Sequence, residues 1–288
     1  MILLYYNITH FMQDICAFIT IQLVCSISFF EILIMPFTLA HTVIASPISK
    51  ILKNKLPIAA LAIGSMTPDL FRLFSNSSGL ETHAWNALIY PNLILGLAFC
   101  GLWYGLFRPT IYSCLTLKDD LNISNIFSLV KFLGYVSFAL IIGNTTHILW
   151  DGFTHLDSRT LIPLPFFEST ISLFNRQYSY AFILQIVSSV LPLPFIFYMI
   201  QQYYKKHKTP NISLKNQQKF ILCSFALSIF IGLIALSDYA SQISYEVWLN
   251  HQYYFLGRML NKFTQAALIC FSLCCIIYQY KYFKKNHN

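Results

Sequence analysis

A chain of 288 residues that is 56% hydrophobic and only 10% charged lies far below the roughly 25% charged residues of soluble domains, and its mean hydropathy of +0.57 excludes an ordinary water-soluble globule. The net charge of +8 is not a nucleic-acid footprint, because the lysines stand in short clusters between apolar runs, which is the pattern of membrane topology. The eight cysteines fall almost entirely inside those runs, show neither zinc-ribbon nor disulfide-scaffold spacing, and read as small apolar side chains.

A membrane span needs about 20 mostly apolar residues. In chain order the first candidate is 15–34. It has no basic segment before it and no small-residue cleavage site after it, so it reads as a retained helix and not a signal peptide. Next comes a short apolar stretch, 37–52, with Pro36 and Pro47 at its edges, which suits a half-length or tilted helix buried among the others. Full-length candidates follow at 57–75, 86–107, 126–150, 181–204, 219–237 and 264–281. The segment 238–262 is too polar to span, and its aromatics suit the membrane surface. The expected fold is all-α, a polytopic integral membrane helical bundle with seven or eight membrane segments. Its expected parts are an additional N-terminal transmembrane helix (1–34), a membrane domain (35–204), and a C-terminal transmembrane hairpin with a basic loop and tail (205–288).

Lysines set the expected orientation. Lys50, Lys53 and Lys55 form one cluster, Arg108 and Lys118 a sparser one, Lys205, Lys206, Lys208, Lys215 and Lys219 the strongest, and Lys281, Lys284 and Lys285 the last. The positive-inside rule puts all four in the cytoplasm, and the spans connect them with the right parity. Residues 69–85, 151–180 and 238–262 then face outward. Trp85, Trp150, Trp248, Tyr178, Tyr253 and Tyr254 cluster there as an aromatic belt.

The same outward side collects the ionisable residues. His147, Asp151 and His155 follow one another at steps of four in Thr-His-Ile-Leu-Trp-Asp-Gly-Phe-Thr-His, which sets them on one helical face. An imidazole and a carboxylate so spaced are ready metal ligands, and ionisable groups at membrane depth are costly enough to suggest function. Asp69, His83 and His41 fall near the same face. This nitrogen and carboxylate mixture suits zinc, or manganese where carboxylates dominate. One ion is expected on Asp69, His83, His147 and Asp151, and a second on His41 with Asp151 as a bridge. The plain alternatives are hydrogen bonding between neighbouring helices and, for Asp69 after Pro68, a helix cap. Gly152 is a helix-stop signal that would leave His155 beyond the helix end. Arg72, Arg159 and Arg176 are the candidate anion-binding residues, since guanidinium matches phosphate in two-point fashion. Their alternative is pairing with Asp157, Glu168 or Glu246.

Several runs carry a resemblance. Met-Pro-Phe-Thr-Leu-Ala-His, Gly-Ser-Met-Thr-Pro-Asp-Leu, Thr-His and the run from Thr146 to His155 resemble, in order, the bacterial membrane family known as domain of unknown function 4184. Tyr180 to Leu193, with Gln185, Ser188 and Ser189, looks like its continuation. The resemblance covers about residues 35–200 and implies a fold and a bacterial inner-membrane location, but no reaction. It begins at Met35, so the first 34 residues are an added helix or the chain starts at Met35. A more distant similarity is to the membrane-bound metal-dependent hydrolases and the zinc-dependent phospholipase C and S1/P1 nuclease enzymes. These also order their ligands His, Asp, His, then His-x-x-x-Asp, as do His41, Asp69, His83, His147 and Asp151. That similarity implies a general base at Asp69. The soluble enzymes add further histidines and a His-x-x-x-Glu pair, whereas here only His155 follows nearby and neither His207 nor His251 has a glutamate four residues on.

The expected function is a membrane-embedded metal-dependent hydrolase of a phosphoester or lipid at the outer membrane interface, with membrane lipid as its surroundings and no nucleic-acid partner. Two other classes stay open. One is a transporter in which the same residues form an ion or proton path. The other is a non-catalytic structural membrane protein with a relict polar cluster.

Overall fold

The computed structural model describes residues 38–75, 80–157, 159, 165–173, 176–209 and 215–287. The expected span 15–34 lies outside the described residues. A 3-10 helix, Thr38–Ile44, runs into α1 (Ala45–Ile51), the half-length piece foreseen between the prolines. Pro47 sits in the first turn of α1, where no backbone N–H is needed. After a tight turn, α2 (Ile58–Leu70) covers 13 residues, roughly 20 Å at 1.5 Å per residue. That is short of a hydrocarbon core of about 30 Å, so the full-length expectation for 57–75 becomes a shorter helix with a 3-10 turn, Phe71–Leu73, at its end.

Two further 3-10 turns, Leu80–His83 and Trp85–Leu88, lead to α3 (Asn92–Leu102). A π-helical turn, Trp103–Phe107, joins α3 to α4 (Arg108–Leu115). Pro109 has no N–H for the carbonyls behind it, and Gln279 supplies the donor instead, 2.9 Å from the Leu106 carbonyl and 3.4 Å from that of Gly105. The longest central helix is α5 (Ile126–Thr154). It is started by a capping box in which Asn125 Oδ1 accepts from the Ser128 N–H at 2.9 Å and Ser128 Oγ accepts from the Asn125 N–H at 3.0 Å. A short helix, α6 (Pro165–Glu168), precedes the one two-stranded sheet among the described residues, an antiparallel hairpin of β1 (Thr170–Leu173) and β2 (Arg176–Ser179). Ser179 then caps α7 (Tyr180–Val190), which continues after Leu191 as α8 (Pro192–His207). The chain closes with α9 (Lys215–Ser241), α10 (Tyr245–Asn250) and α11 (Gln252–His287).

Five helices among the described residues are long and apolar enough to cross a membrane: Trp85–Leu115, Ile126–Thr154, Tyr180–His207, Lys215–Ser241 and Tyr254–Lys281. Their apolar windows are only 6–22% buried inside the protein. Leu222, Phe230, Leu233 and Ile269 stand largely exposed, and apolar surface on that scale calls for a lipid solvent. One core joins α1, α2, α3 and α5 through Ala45, Ala60, Leu61, Cys100, Val136 and Leu140, and a second joins α4, α9 and α11 through Phe107, Cys114, Ile221 and Phe271. The six described cysteines are free thiols.

Three of the four basic stretches meet at one end of the bundle. The Lys118 N–H donates to the His207 carbonyl and the Thr209 N–H to the Thr116 carbonyl, both at 2.9 Å. Ser113 Oγ lies 2.8 Å from the Tyr278 hydroxyl, which brings the lysine-bearing end of α11 to the same place.

Candidate metal centre

The centre is built on a backbone contact between α2 and α5. A Cβ at Gly64 would lie 2.5 Å from the Leu140 carbonyl oxygen, and one at Gly143 would lie 2.4 Å from that of Leu61. Only glycine permits this approach, which is the small-residue packing that membrane helices use. One turn on from Gly143 along α5 stands His147, and one more turn brings Asp151. Both are almost fully buried. Beside Gly64, the Ser65 carbonyl lies 2.7 Å from His147 Nδ1. The ring must donate there, so the neutral tautomer presents the Nε2 lone pair to the centre.

Asp69 comes from the last turn of α2. Pro68 does not start a helix, and Asp69 caps none. The helix runs through Pro68 to Leu70, because the missing N–H affects only the carbonyl one turn back, and α5 packs alongside that turn. The Pro68 carbonyl accepts the Thr82 hydroxyl at 2.8 Å. Thr82 Oγ1 in turn lies 3.3 Å from His83 Nδ1. With the hydroxyl hydrogen given to Pro68, His83 donates from Nδ1 and its Nε2 also faces inward. Asn92 steadies this turn by donating to the Thr82 carbonyl at 2.7 Å and to Asn144 Oδ1 at 3.2 Å.

Three atoms then meet. His83 Nε2 is 3.2 Å from His147 Nε2 and 3.2 Å from Asp151 Oδ2, and His147 Nε2 is 3.5 Å from the same oxygen. A tetrahedral zinc with bonds of 2.0–2.1 Å separates its ligand atoms by about 3.3 Å. The triangle has about the dimensions of one face of such a tetrahedron. Two inward lone pairs and a carboxylate at these distances repel unless a positive charge lies between them. Asp69 lies beside this triangle, its Oδ1 3.5 Å from His83 Nε2 and its Oδ2 3.9 Å from His147 Nε2. Thr38 Oγ1 donates to that Oδ2 at 2.9 Å, and Arg72 Nη1 lies 3.7 Å from Oδ1. His41 stacks on the His147 ring with centroids 4.0 Å apart, and its Nε2 is 3.9 Å from Asp151 Oδ1. His41, Asp69 and His147 make a second group with metal-ligand spacing.

The remaining expected residues are placed differently. The helix passes Gly152 and ends at Thr154, leaving His155 as its extended C-cap. His155 Nδ1 is 3.8 Å from Asp151 Oδ2, but Nε2 pairs with Gln185 at 2.7 Å, so this ring borders the two ligand groups and belongs to neither. Burial holds its imidazole below the usual range. Arg159 Nε donates to Asp157 at 2.9 and 3.1 Å, and its Nη1 reaches Asp151 Oδ2 at 3.4 Å. Its fork is thus largely engaged by Asp157, the alternative weighed above. Arg72 keeps a buried Nε with no partner among the described residues. Arg176 opens β2, and its side chain lies outside the described residues.

Sequence reasoning assigned no role to Thr38, Ser65, Thr82, Asn92, Asn144 or Gln185. The signal for the amides was present: Asn92, Asn144 and Gln185 interrupt apolar spans, and a buried amide there needs a partner. The profile of the domain of unknown function DUF4184 matches residues 35–278. The chain belongs to this family. The DUF4184 match extends past the motif-bearing stretch to take in α9 and most of α11. No curated protein and no solved structure matches the chain.

Proposed function

We propose that this DUF4184 protein is a metal-dependent hydrolase of a bacterial inner (cytoplasmic) membrane, acting on a phosphoester or lipid at the outer interface. The observation that carries the reading is the His83–His147–Asp151 triangle, whose edges of 3.2, 3.2 and 3.5 Å suit one tetrahedral cation. On these three protein ligands a tetrahedral ion would keep one position for water or substrate, the pattern of a catalytic and not a structural zinc site. A bound zinc or manganese ion supplies Lewis acidity and acidifies a coordinated water toward neutral pH.

The residues divide the work. Ser65 and Thr82 hold the two imidazoles by their outer nitrogens, so the ligand faces are set before the ion arrives. Asp69, steadied by Thr38 and Arg72, stands beside the triangle, where its carboxylate orients water and takes its proton. Arg72, with its unpartnered Nε, is the strongest of the three arginines for holding an anionic head. Asp151 Oδ1 and His41 add a place for a second ion. For topology, we propose that 15–34 and the shorter 57–75 piece join the five long helices, giving seven segments, or eight with the piece at 37–52. The shared end of three basic stretches supports a cytoplasmic lysine face and an outward centre.

Elemental analysis of the detergent-purified protein beside His147→Ala and Asp151→Asn tests this. About one or two zinc or manganese ions per chain, lost in both variants, is the expected result. No metal in the wild type after incubation with zinc overturns the reading. His147-dependent uptake into proteoliposomes would then favour a carrier, although the clustering of the ionisable groups at one end supports hydrolysis over carriage.

A further inference from the structure

Beside the centre a cleft of about 310 Å³ opens between the 3-10 helix Thr38–Ile44, the last turns of α5 and the junction of α7 with α8. One part of its wall is polar, with His41, Asp151, His155 and Gln185. Thr146, Thr154, Ser188 and Ser189 also line it, and its apolar residues are Ala40, Val43, Ile44, Trp150, Leu191 and Pro192. Depth decides what such a cleft takes. At 1.5 Å per residue, Gln185 and Pro192 stand roughly 8 and 18 Å into the span that starts at Tyr180. In a core about 30 Å thick, the apolar part faces hydrocarbon. Trp150 and Leu191, 41% and 59% exposed, form the lipid-side rim. Trp150 is pinned there by donating from Nε1 to Ser188 Oγ at 3.3 Å. The wall is broken where α7 gives way to α8, because Pro192 has no N–H for the Ser188 carbonyl.

We infer that this cleft binds the hydrocarbon chain of an amphiphilic substrate, which slides in from the bilayer and presents its polar head to the metal centre. The assignment of that chain to a substrate rests on the hydrolase reading; the chain site itself rests on the cleft. A head group alone would fill only the polar part and leave Val43, Ile44 and Leu191 without apolar contact. Recognition therefore depends on chain length.

Photolabelling tests the inference. Wild-type, Ile44→Trp and Leu191→Trp proteins in phosphatidylcholine nanodiscs receive hexadecyl phosphate with a mid-chain diazirine, and zinc is measured on the same samples. Leu191 is exposed, so a tryptophan there narrows the cleft without touching the core. Expected is labelling concentrated on 40–44 and 185–192, about tenfold lower in both variants at unchanged zinc. Unlabelled hexadecyl phosphate competes and butyl phosphate does not. Labelling spread evenly over the exposed faces of α9 and α11, or undiminished in both variants, overturns the chain site. Cleft labelling in a wild type that holds no zinc overturns the hydrolase reading and leaves the chain site standing.

Discussion

Gly143→Ala tests how the centre is assembled. The added Cβ would meet the Leu61 carbonyl oxygen at 2.4 Å and the Ser65 nitrogen at 2.7 Å, both backbone atoms. Neither neighbour is the end of a flexible side chain. Reaching an ordinary contact of 3.4 Å therefore means parting α2 from α5 by about 1 Å. Overpacking of this kind costs about 1–3 kcal/mol. The effect on the centre is separate. Asp69 travels with α2, and His83 follows through the Thr82–Pro68 hydrogen bond, while His147 and Asp151 travel with α5. A shift of about 1 Å stretches edges of 3.2 Å beyond what one cation spans and loosens His147 from the Ser65 carbonyl. Zinc affinity should fall by about 10–100-fold, measured by chelator competition alongside thermal unfolding in detergent. Gly134 is the control: it lies on the same helix with nothing within 4 Å of an added Cβ. Gly134→Ala should keep its zinc and stabilise by up to about 1 kcal/mol. If the two variants behave alike in both assays, the glycine crossing does not set the centre.

Other outcomes follow from the same geometry. Zinc affinity, read by chelator competition, should weaken as pH falls, because each imidazole must be unprotonated to bind; an affinity that stays flat from pH 8 to 5 refutes histidine ligation. The hydrogen bond from Arg159 holds the Asp157 carboxyl down at about 2. A lowered folded value stabilises above the ordinary carboxylate pKa of about 3.9, and that contribution drains away as pH falls toward 2. Asp157→Asn should thus cost less than about 1 kcal/mol at pH 7 for this rim pair, and the difference in thermal midpoint should shrink at pH 3. For topology, green fluorescent protein fused after residue 288 should fluoresce and alkaline phosphatase inserted after Glu168 should be active. The reverse pattern would invert the proposed orientation.

Composition and patterning were enough to name the solvent of this protein and the residue types that gather in its polar cluster. Apolar runs of about 20 residues have one stable home, and steps of four along a helix put His147 and Asp151 on one face whatever else the chain does. Lysine clusters predicted which loops share an end, and the Lys118–His207 contact joins two of them. What only the tertiary structure decided is which of the polar residues face one another. His155 has the same spacing as its neighbours, yet the end of α5 swings its Nε2 to Gln185 on another helix. For Arg159 the sequence left an anion-binding fork and a pair with Asp157 both open, and the structure shows the pair. The length of α2 and its passage through Pro68 depend on packing against α5 at two glycines, a contact between residues far apart in sequence. Periodicity reports the face a side chain occupies. The distance between two faces is set by the backbone approach that Gly64 and Gly143 allow, and here that approach brings four separate stretches of chain to a single point.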